Sequence, residues 1–370
     1  MKVSDIAERI EATAPLELAQ GWDNVGLLVG DGEQEVKRVL LTIDVTRAVA
    51  AEAKGLKAEL IVSYHPVIWD GLKRVVSSGS SEVVYELIRC GISVFSIHTA
   101  LDSAAGGVND GLAEIVGLSG AEPIGDYVDN PAGECYKLVV FVPVESVAKV
   151  SNAVFAAGAG KMGNYSNCGF AAEGTGSFLP LKGARPAVGK QGKVEQVAEV
   201  RFETIVPVER LESVVEAMKK AHPYEMPAFD CLRLYNPQAR LGLGRMGSLK
   251  KATPLKEIIE RIKKETGASA VGMVGREKRV VKKAAVCAGS CGKIINQVIA
   301  AGCDLYVTGE LKHHQAVAAA EAGVTCVCLS HTVSERFILK KFGRELQKQA
   351  KEVKIMVSAK DAEPFKWKSV

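Results

Sequence analysis

The sequence lacks long apolar runs, a large excess of charge of one sign, and abundant proline. No stretch approaches the ~20 apolar residues that span a bilayer, and the amphipathic start MKVSDIAERIEA lacks the apolar core of a secretory signal. We therefore expect a soluble cytoplasmic protein with no membrane partner. The 47 basic and 43 acidic residues give a net charge of +4, which argues against a dedicated nucleic-acid binder but leaves a local basic patch possible.

The composition is that of a globular protein with more than one domain. Of its 370 residues, 47% are hydrophobic, 24% are charged and only 13 are proline, which excludes disorder and collagen. The length predicts two or three domains. The nine cysteines are an odd number, and Cys326 and Cys328 lie in the apolar run VTCVCLS, where reduced thiols pack as small hydrophobic groups. A small disulfide-bonded scaffold is also excluded.

Both ends of the chain alternate short apolar runs with helical stretches. The predicted strands are 38–44, 59–63, 92–98, 284–288, 304–308 and 324–329. Strands separated by helices of about a dozen residues favour right-handed crossovers and a largely parallel sheet. We therefore expect an α/β domain in which the strands of both chain ends share one sheet.

The middle of the chain has a different element order. Its predicted strands are 136–143, 164–176, 195–206 and 229–234, and its predicted helices are 144–157 and 208–221. The order β-α-β-β-α-β is that of the ferredoxin-like unit. The predicted organisation is a discontinuous α/β metal-binding domain, residues 1–125 and 238–370, with a ferredoxin-like α+β domain inserted at 126–237.

Histidines and carboxylates recur at the predicted strand ends. His65 follows one strand, His98 ends another and precedes Asp102 by four residues, and His331 precedes Glu335 by four. Imidazoles and carboxylates brought together from several strand ends form the ligand set of Zn, Fe, Mn or Co. Each group alone is typical of a solvated helix end or a turn. From the residues alone, a metal site and a purely structural origin therefore remain equally open.

Five longer segments occur in one order along the outer domain. They are GWDNVGLLVG (21–30), SYHPVIWDGLKRV (63–75), SIHTALDSAAGGVND (96–110), DLYVTGELKHH (304–314) and LSHTVSERF (329–337). Together they resemble the Nif-three-like dinuclear-metal proteins, also known as type 2 homologues of GTP cyclohydrolase I. The segment AHPYEMPAFD (221–230) resembles part of the PII/CutA-like insertion found in the longer bacterial members.

This resemblance implies a pair of divalent transition-metal ions, which could be Zn, Fe, Mn or Co. The corresponding ligand positions are Tyr64, His65, Asp102, His331 and Glu335. The family has histidine where this chain has Tyr64. Because a phenol has an ordinary pKa near 10, it is a poorer ligand than imidazole at neutral pH. One of the two metal positions is therefore expected to be weak or differently liganded.

The same resemblance implies a two-metal hydrolase that acts on a nucleotide-like or other phosphorylated substrate. His98 as a proton carrier and Glu335 are the candidate catalytic residues, and either Asp102 or Glu335 would be the carboxylate that bridges the two ions. It also implies a homohexamer. The alternative is a non-enzymatic metal-handling factor, or an oligomeric scaffold or regulator that binds proteins or nucleic acid, and the tyrosine at position 64 favours this alternative.

Overall fold

The computed structural model describes residues 1–128, 135–162, 165–234 and 241–365. The chain divides into two compact units, an outer unit of Met1–Asp129 with Arg240–Val370 and an inserted unit of Asn130–Ala239. The sequence-based domain boundary at 237–238 lies outside the described residues. None of the helices in the described ranges has the length and apolar character needed to cross a membrane.

Helices and strands alternate along the chain. The helices are α1 (Val3–Glu11), α2 (Arg47–Leu56), α3 (Glu82–Arg89), α4 (His98–Ser103), α5 (Val108–Val116), α6 (Val147–Ala156), α7 (Leu211–Ala221), α8 (Leu255–Thr266), α9 (Ile295–Ala300), α10 (His313–Glu321), α11 (His331–Arg336) and α12 (Ile338–Gln349). The strands are β1 (Gly26–Val29), β2 (Arg38–Thr42), β3 (Leu60–Ser63), β4 (Ser93–Ser96), β5 (Leu118–Val128), β6 (Cys135–Pro143), β7 (Gly169–Phe178), β8 (Glu195–Pro207), β9 (Phe229–Arg233), β10 (Leu241–Pro254), β11 (Gly272–Val274), β12 (Val280–Cys287), β13 (Leu305–Thr308), β14 (Thr325–Cys328) and β15 (Lys354–Val357).

The outer unit contains two sheets, so the expectation of one shared sheet is wrong. The first sheet has the order β1-β4-β3-β2-β15, and the second has the order β11-β14-β13-β12-β10-β5. Strands β2, β3, β4 and β15 are parallel to one another, as are β12, β13 and β14. The strands β10 and β5 pair antiparallel and extend the second sheet. Each end of the chain therefore builds most of its own parallel sheet.

Helices cover both faces of the first sheet. Successive residues of a strand point to opposite faces, so Leu41 packs with α1 and α12, whereas Leu40 packs with α2 and α3. Both residues are fully buried. A strand buried on both faces favours apolar residues at successive positions, which explains the continuous apolar run VLL within RVLLT.

The inserted unit has the ferredoxin-like order, which confirms this part of the predicted fold. Its sheet has the order β7-β8-β6-β9 with every neighbouring pair antiparallel. Val154 of α6 and Met218 of α7 pack on Val140 and Phe202 in one core on a single face of the sheet. Strand β7 begins at Gly169, and the predicted start at residue 164 lies outside the described residues.

Candidate metal centre

The predicted site residues lie at the carboxyl ends of both parallel sheets of the outer unit. Tyr64 and His65 directly follow β3, and His98 begins α4 just after β4. His331 begins α11, three residues after the end of β14 in the other sheet, and Glu335 lies one helical turn later. The groups expected from one sheet are therefore supplied by two sheets.

Three of these side chains converge. One ligand atom from each of His65, His331 and Glu335 lies within 4.8 Å of the other two. The two carboxylate oxygens of Glu335 lie between the imidazoles, with Oε2 at 3.4 Å from Nε2 of His65 and Oε1 at 3.3 Å from Nε2 of His331. Glu335 and His65 are buried, whereas His331 is partly exposed.

Two further carboxylates lie against the Nδ1 atoms of the two imidazoles, on the side away from Glu335. Asp44 Oδ1 lies 2.9 Å from Nδ1 of His65, and Glu310 Oε1 lies 3.0 Å from Nδ1 of His331. Such partners place the proton on Nδ1 and leave the lone pair of Nε2 directed into the cluster. Both imidazoles are therefore oriented as metal ligands usually are.

The chemistry of the cluster fits a divalent transition metal. Oε2 of Glu335 is buried and has no hydrogen-bond partner among the described residues. Burial raises the pKa of Glu335, but the two imidazoles outweigh burial and lower the pKa to about 2, so the group is ionised. This Oε2 oxygen lies 3.4 Å from Nε2 of His65, longer than an ordinary N–H···O hydrogen bond, so a cation bound there would stabilise the buried charge further. Two imidazoles with one carboxylate are ligands that Zn, Fe, Mn and Co share.

Protons compete with a metal for these imidazoles. Burial alone would lower the pKa of His65, but its hydrogen bond with Asp44, the close approach of the Glu335 carboxylate and the charges of both acids raise it to about 10. The hydrogen bond to Glu335 is the main cause that raises the pKa of His331 to about 9, against the opposing effect of burial. Metal binding at neutral pH must therefore release protons.

Tyr64 and Asp102 form a second, separate pair in the site. Tyr64 is fully buried and its hydroxyl donates a hydrogen bond to Oδ1 of Asp102. Burial, followed by the negative charges of Asp102 and Glu335, raises the pKa of Tyr64 well above its ordinary value, so it stays a neutral phenol. Burial also raises the pKa of Asp102, to about 7.

His98 lies beside the cluster of three. Its ring centroid is 5.1 Å from that of His65, and its Nδ1 lies 2.9 Å from Oδ1 of Asp23. The backbone and hydroxyl of Thr99 donate to the other oxygen of Asp23. Burial raises the pKa of Asp23, but the hydrogen bond from His98 and those from Thr99 give a net lowering. The carboxylate is therefore ionised and fixes the His98 ring.

The sequence reasoning did not single out the three orienting acids or two tryptophans. Asp44 lies 21 residues before His65, and Glu310 lies 21 residues before His331. In both cases the acid follows one strand and the histidine follows the next parallel strand, so this repeated βαβ spacing was a usable signal. Trp69 lies against His65 and His98, with ring centroids 6.0 and 5.3 Å apart.

The backbone around the cluster is tightly constrained. Gly289 has a φ of +69°, and a Cβ at this position would lie 2.5 Å from Oε1 of Glu335. Ser330, directly before His331, has a φ of +76°, which a residue with a side chain rarely adopts. Its hydroxyl donates to Oε2 of Glu363 at 2.6 Å. Backbone strain of this kind is concentrated at functional sites.

Replacing Asp44 with asparagine should weaken metal binding about 10- to 100-fold, because His65 loses the charged partner on Nδ1. Titration of the metal-free protein with Zn²⁺ or Mn²⁺ measures this change. The control is Asp31→Asn, the same change in an exposed turn. An Asp44→Asn variant that binds the metal as tightly as the control would contradict the assigned role of Asp44.

Replacing Gly289 with alanine should also weaken metal binding, because the new methyl group occupies the space of the Glu335 carboxylate and the residue must keep a positive φ. Gly302→Ala is the matched control, since Gly302 has a similar φ of +66° but open space around it. We expect both variants to lose stability and only Gly289→Ala to lose metal affinity. Equal affinities in the two variants would refute the close packing of Gly289 on Glu335.

These features define an α/β protein with a histidine–carboxylate cluster at the ends of its parallel strands. The sequence matches the Duf34/NIF3 family (NGG1p interacting factor 3) over residues 1–364, and the chain belongs to this family. A relative from Mycobacterium tuberculosis, named GTP cyclohydrolase 1 type 2 homolog, is 39% identical over 339 residues, covering 90% of this chain and 88% of the relative. A relative of the same name from Bacillus subtilis is 37% identical over 365 residues, covering 97% of each chain.

Solved structures support the same assignment. A Bacillus cereus protein related to NIF3 superimposes with a TM-score of 0.85 at 35% identity, covering 99% of each chain. The Staphylococcus aureus protein SA1388 superimposes with a TM-score of 0.81 at 27% identity, again over 99% of each chain. The family resemblance and the overall fold inferred from the sequence are therefore confirmed.

Proposed function

We propose that this protein is a two-metal hydrolase that acts on a nucleotide-like substrate. The observation that carries the proposal is the buried carboxylate of Glu335, which lies between two imidazoles and has one oxygen without a hydrogen-bond partner among the described residues. In a purely structural ion pair, both oxygens of a buried carboxylate usually accept hydrogen bonds. We therefore assign the cluster to metal binding.

The five proposed ligands are not equivalent. His65, His331 and Glu335 would hold the first ion, since their ligand atoms already converge. Asp102 and Tyr64 would contribute to a second position, with Glu335 as the carboxylate shared between the two. Tyr64 is a neutral phenol, and its hydroxyl donates a hydrogen bond to the Asp102 oxygen that a metal would need. This second position would therefore bind metal more weakly.

In the proposed reaction, the chain positions the substrate and moves a proton. Divalent ions at such sites supply Lewis acidity and lower the pKa of water. The N–H at Nδ1 of His98 donates a hydrogen bond to Asp23. Nε2 would then be free to accept a proton from the nucleophile and return it to the leaving group. Glu335 is held ionised by the two imidazoles and stays available as a ligand throughout.

The proposed substrate class rests on the aromatic surroundings of the site. Trp22 and Trp69 are 63% and 54% exposed, yet their rings lie next to the buried His98 and His65. Exposed indole rings beside a polar centre can stack on a planar base, a contact worth about 1–3 kcal/mol in proteins that bind single-stranded nucleic acids. The relatives named GTP cyclohydrolase 1 type 2 homolog are consistent with a purine nucleotide.

The proposal is tested by incubating the metal-loaded protein with a panel of nucleoside triphosphates and monophosphates and separating the products by chromatography. We expect turnover of at least one purine nucleotide, and its loss in Glu335→Gln. Trp69→Ala should raise KM more than it lowers kcat, since stacking contributes mainly to binding. Metal-loaded protein that turns over none of these compounds would refute the hydrolase proposal for nucleotides.

A non-enzymatic metal-handling role is the second candidate, and the hydrogen bond from Tyr64 to Asp102 favours it. A site with one strong and one weak position suits reversible binding and transfer better than two-metal chemistry. Such a protein would pass its ion to a competing chelator while turning over none of the nucleotides. An oligomeric scaffold or regulator remains the third alternative.

We further propose that the chain forms a homohexamer in the cytoplasm, as the family resemblance implies. Light scattering coupled to size-exclusion chromatography tests the assembly directly. The expected mass is six times the 39.4 kDa of one chain. A monomer or dimer at micromolar concentration would refute this part of the proposal.

A further inference from the structure

The inserted unit carries a cavity on the sheet face opposite its two helices. Along β8, Phe202 points into the core beneath the helices, whereas Glu199 and Arg201 line the cavity on the other face. Gly174 pairs with Glu199 and Ala172 pairs with Arg201 across the strands, so the small residues of β7 leave space above the sheet. The cavity volume is about 630 Å³. This is within the range of small-molecule sites.

Two loops form the walls of this cavity. The loop after β7 is joined to the loop after α7 by a hydrogen bond from the Arg185 backbone to Oε1 of Glu225, at 2.9 Å. Nδ1 of His222 accepts from the Tyr224 backbone at 3.1 Å, so its Nε2 donates to the carbonyl of Phe141 at 3.0 Å. The segment 221–230, which the metal site does not use, is therefore held in place against the sheet and contributes to the cavity wall.

Glu199 is the exceptional residue of the cavity. It is only 9% exposed, and its carboxylate faces the Tyr224 hydroxyl, whose pKa is raised by burial and by this carboxylate. Its carboxylate lies flat on Gly176, where a Cβ would be 2.0 Å from Oε2. The Tyr224 hydroxyl is itself buried and has no further hydrogen-bond partner in the described ranges. A nearly buried carboxylate that faces only one hydroxyl still has free acceptor positions, and a ligand that donates to them would offset part of the cost of burying it.

The polar groups define what such a ligand must offer. A carboxylate has two acceptor oxygens and pairs best with two parallel N–H donors on a planar group. Most of the remaining lining is apolar or small, including Phe141, Phe178 and Pro180, so it can cover a flat apolar body. The lining carries three carboxylates, of Glu173, Glu199 and Glu225, against two guanidinium groups, and this balance does not favour an anion.

We infer that this cavity binds a small molecule with two adjacent N–H donors on a planar group, and that Glu199 accepts both. Amidines and guanidines carry this pair on a cation, and guanine carries it on a neutral ring. The inference concerns the inserted unit alone and does not depend on the proposed function of the outer unit.

Calorimetric titration of the full chain with benzamidine and, separately, guanosine tests the inference. We expect one molecule of at least one probe to bind per chain. Binding of benzamidine alone indicates a cationic ligand, and binding of guanosine alone indicates a nucleobase. Glu199→Gln should weaken binding about tenfold or more, because it replaces a charged acceptor with an amide. The matched control, Glu216→Gln on the exposed face of α7, should bind the probe as the wild type does.

Two further variants keep the test decisive. Tyr224→Phe preserves the charge of Glu199 and removes only the buried hydroxyl, so it should retain binding of the probe with a smaller loss. Glu199→Asp shortens the side chain by one methylene and so withdraws the carboxylate from the cavity. It replaces Glu199→Gln in the test if that variant does not fold. All variants should keep the metal content of the wild type. Binding of neither probe at millimolar concentration, or undiminished binding by a folded Glu199 variant, would overturn the inference.

Discussion

The variant His331→Ala should lose the bound metal almost completely. His331 supplies one of only two imidazoles in the cluster, and its removal leaves the ionised Glu335 with His65 alone. Loss of a direct ligand should exceed the 10- to 100-fold effect typical of residues that only orient ligands. Metal content per chain, measured by elemental analysis after purification without chelator, gives the result. Any turnover should disappear with the metal.

His314→Ala is the appropriate control for this experiment. His314 is an exposed histidine on α10, so the substitution removes an imidazole without touching the cluster. We expect wild-type metal content and melting temperature in this control, whereas His331→Ala should melt at a lower temperature because it loses both the metal and one partner of Glu335. If His331→Ala retained the metal of the wild type, the assignment of His331 as a ligand would be wrong.

The variant Tyr64→His should bind up to one additional metal ion per chain. It replaces a neutral phenol with an imidazole next to His65 and frees the Asp102 carboxylate from its hydrogen bond. An imidazole has an ordinary pKa near 6.5 and ligates divalent metals at neutral pH far better than a phenol does. Elemental analysis with excess Zn²⁺ or Mn²⁺, followed by removal of unbound ion, counts the ions.

Tyr64→Phe separates the two effects of this change. It frees Asp102 as Tyr64→His does but supplies no new ligand atom. We expect metal content close to the wild type in Tyr64→Phe and an increase only in Tyr64→His. An equal increase in both variants would show that the hydrogen bond alone limits the second position. No increase in either would contradict a second metal position at Tyr64 and Asp102.

Much of the fold was predictable from strands that are buried on both faces of their sheet. Strands β2, β3 and β4 are buried at nearly every position and have apolar centres, because helices cover both faces of their sheet. The sequence places these strands within a few residues of their observed bounds. Strands β5 and β10 were missed. They contain the glycine-rich segments LSGAEPIGDYV and LGLGRMGSLKKATP, and their pairing is interrupted by changes of register, so neither shows the pattern of a regular strand.

The site was partly predictable for a related reason. His65, His331 and Glu335 each follow a recognisable parallel strand, so their placement at a strand end could be derived from the sequence. That the two chain ends form separate sheets whose ends meet depends on tertiary packing, which local patterns do not encode. The hydrogen bond between Tyr64 and Asp102 was unpredictable for the same reason, because it joins residues 38 positions apart.

The central claim is that His65, His331 and Glu335 bind one divalent ion together. Anomalous X-ray diffraction from crystals grown with Mn²⁺ or Zn²⁺ tests it most directly, because it locates the ion itself. The account predicts an anomalous peak at roughly 2.0–2.2 Å from Nε2 of both histidines and from a Glu335 oxygen. A fully occupied ion elsewhere, with these three side chains still contacting one another as they do here, would contradict it.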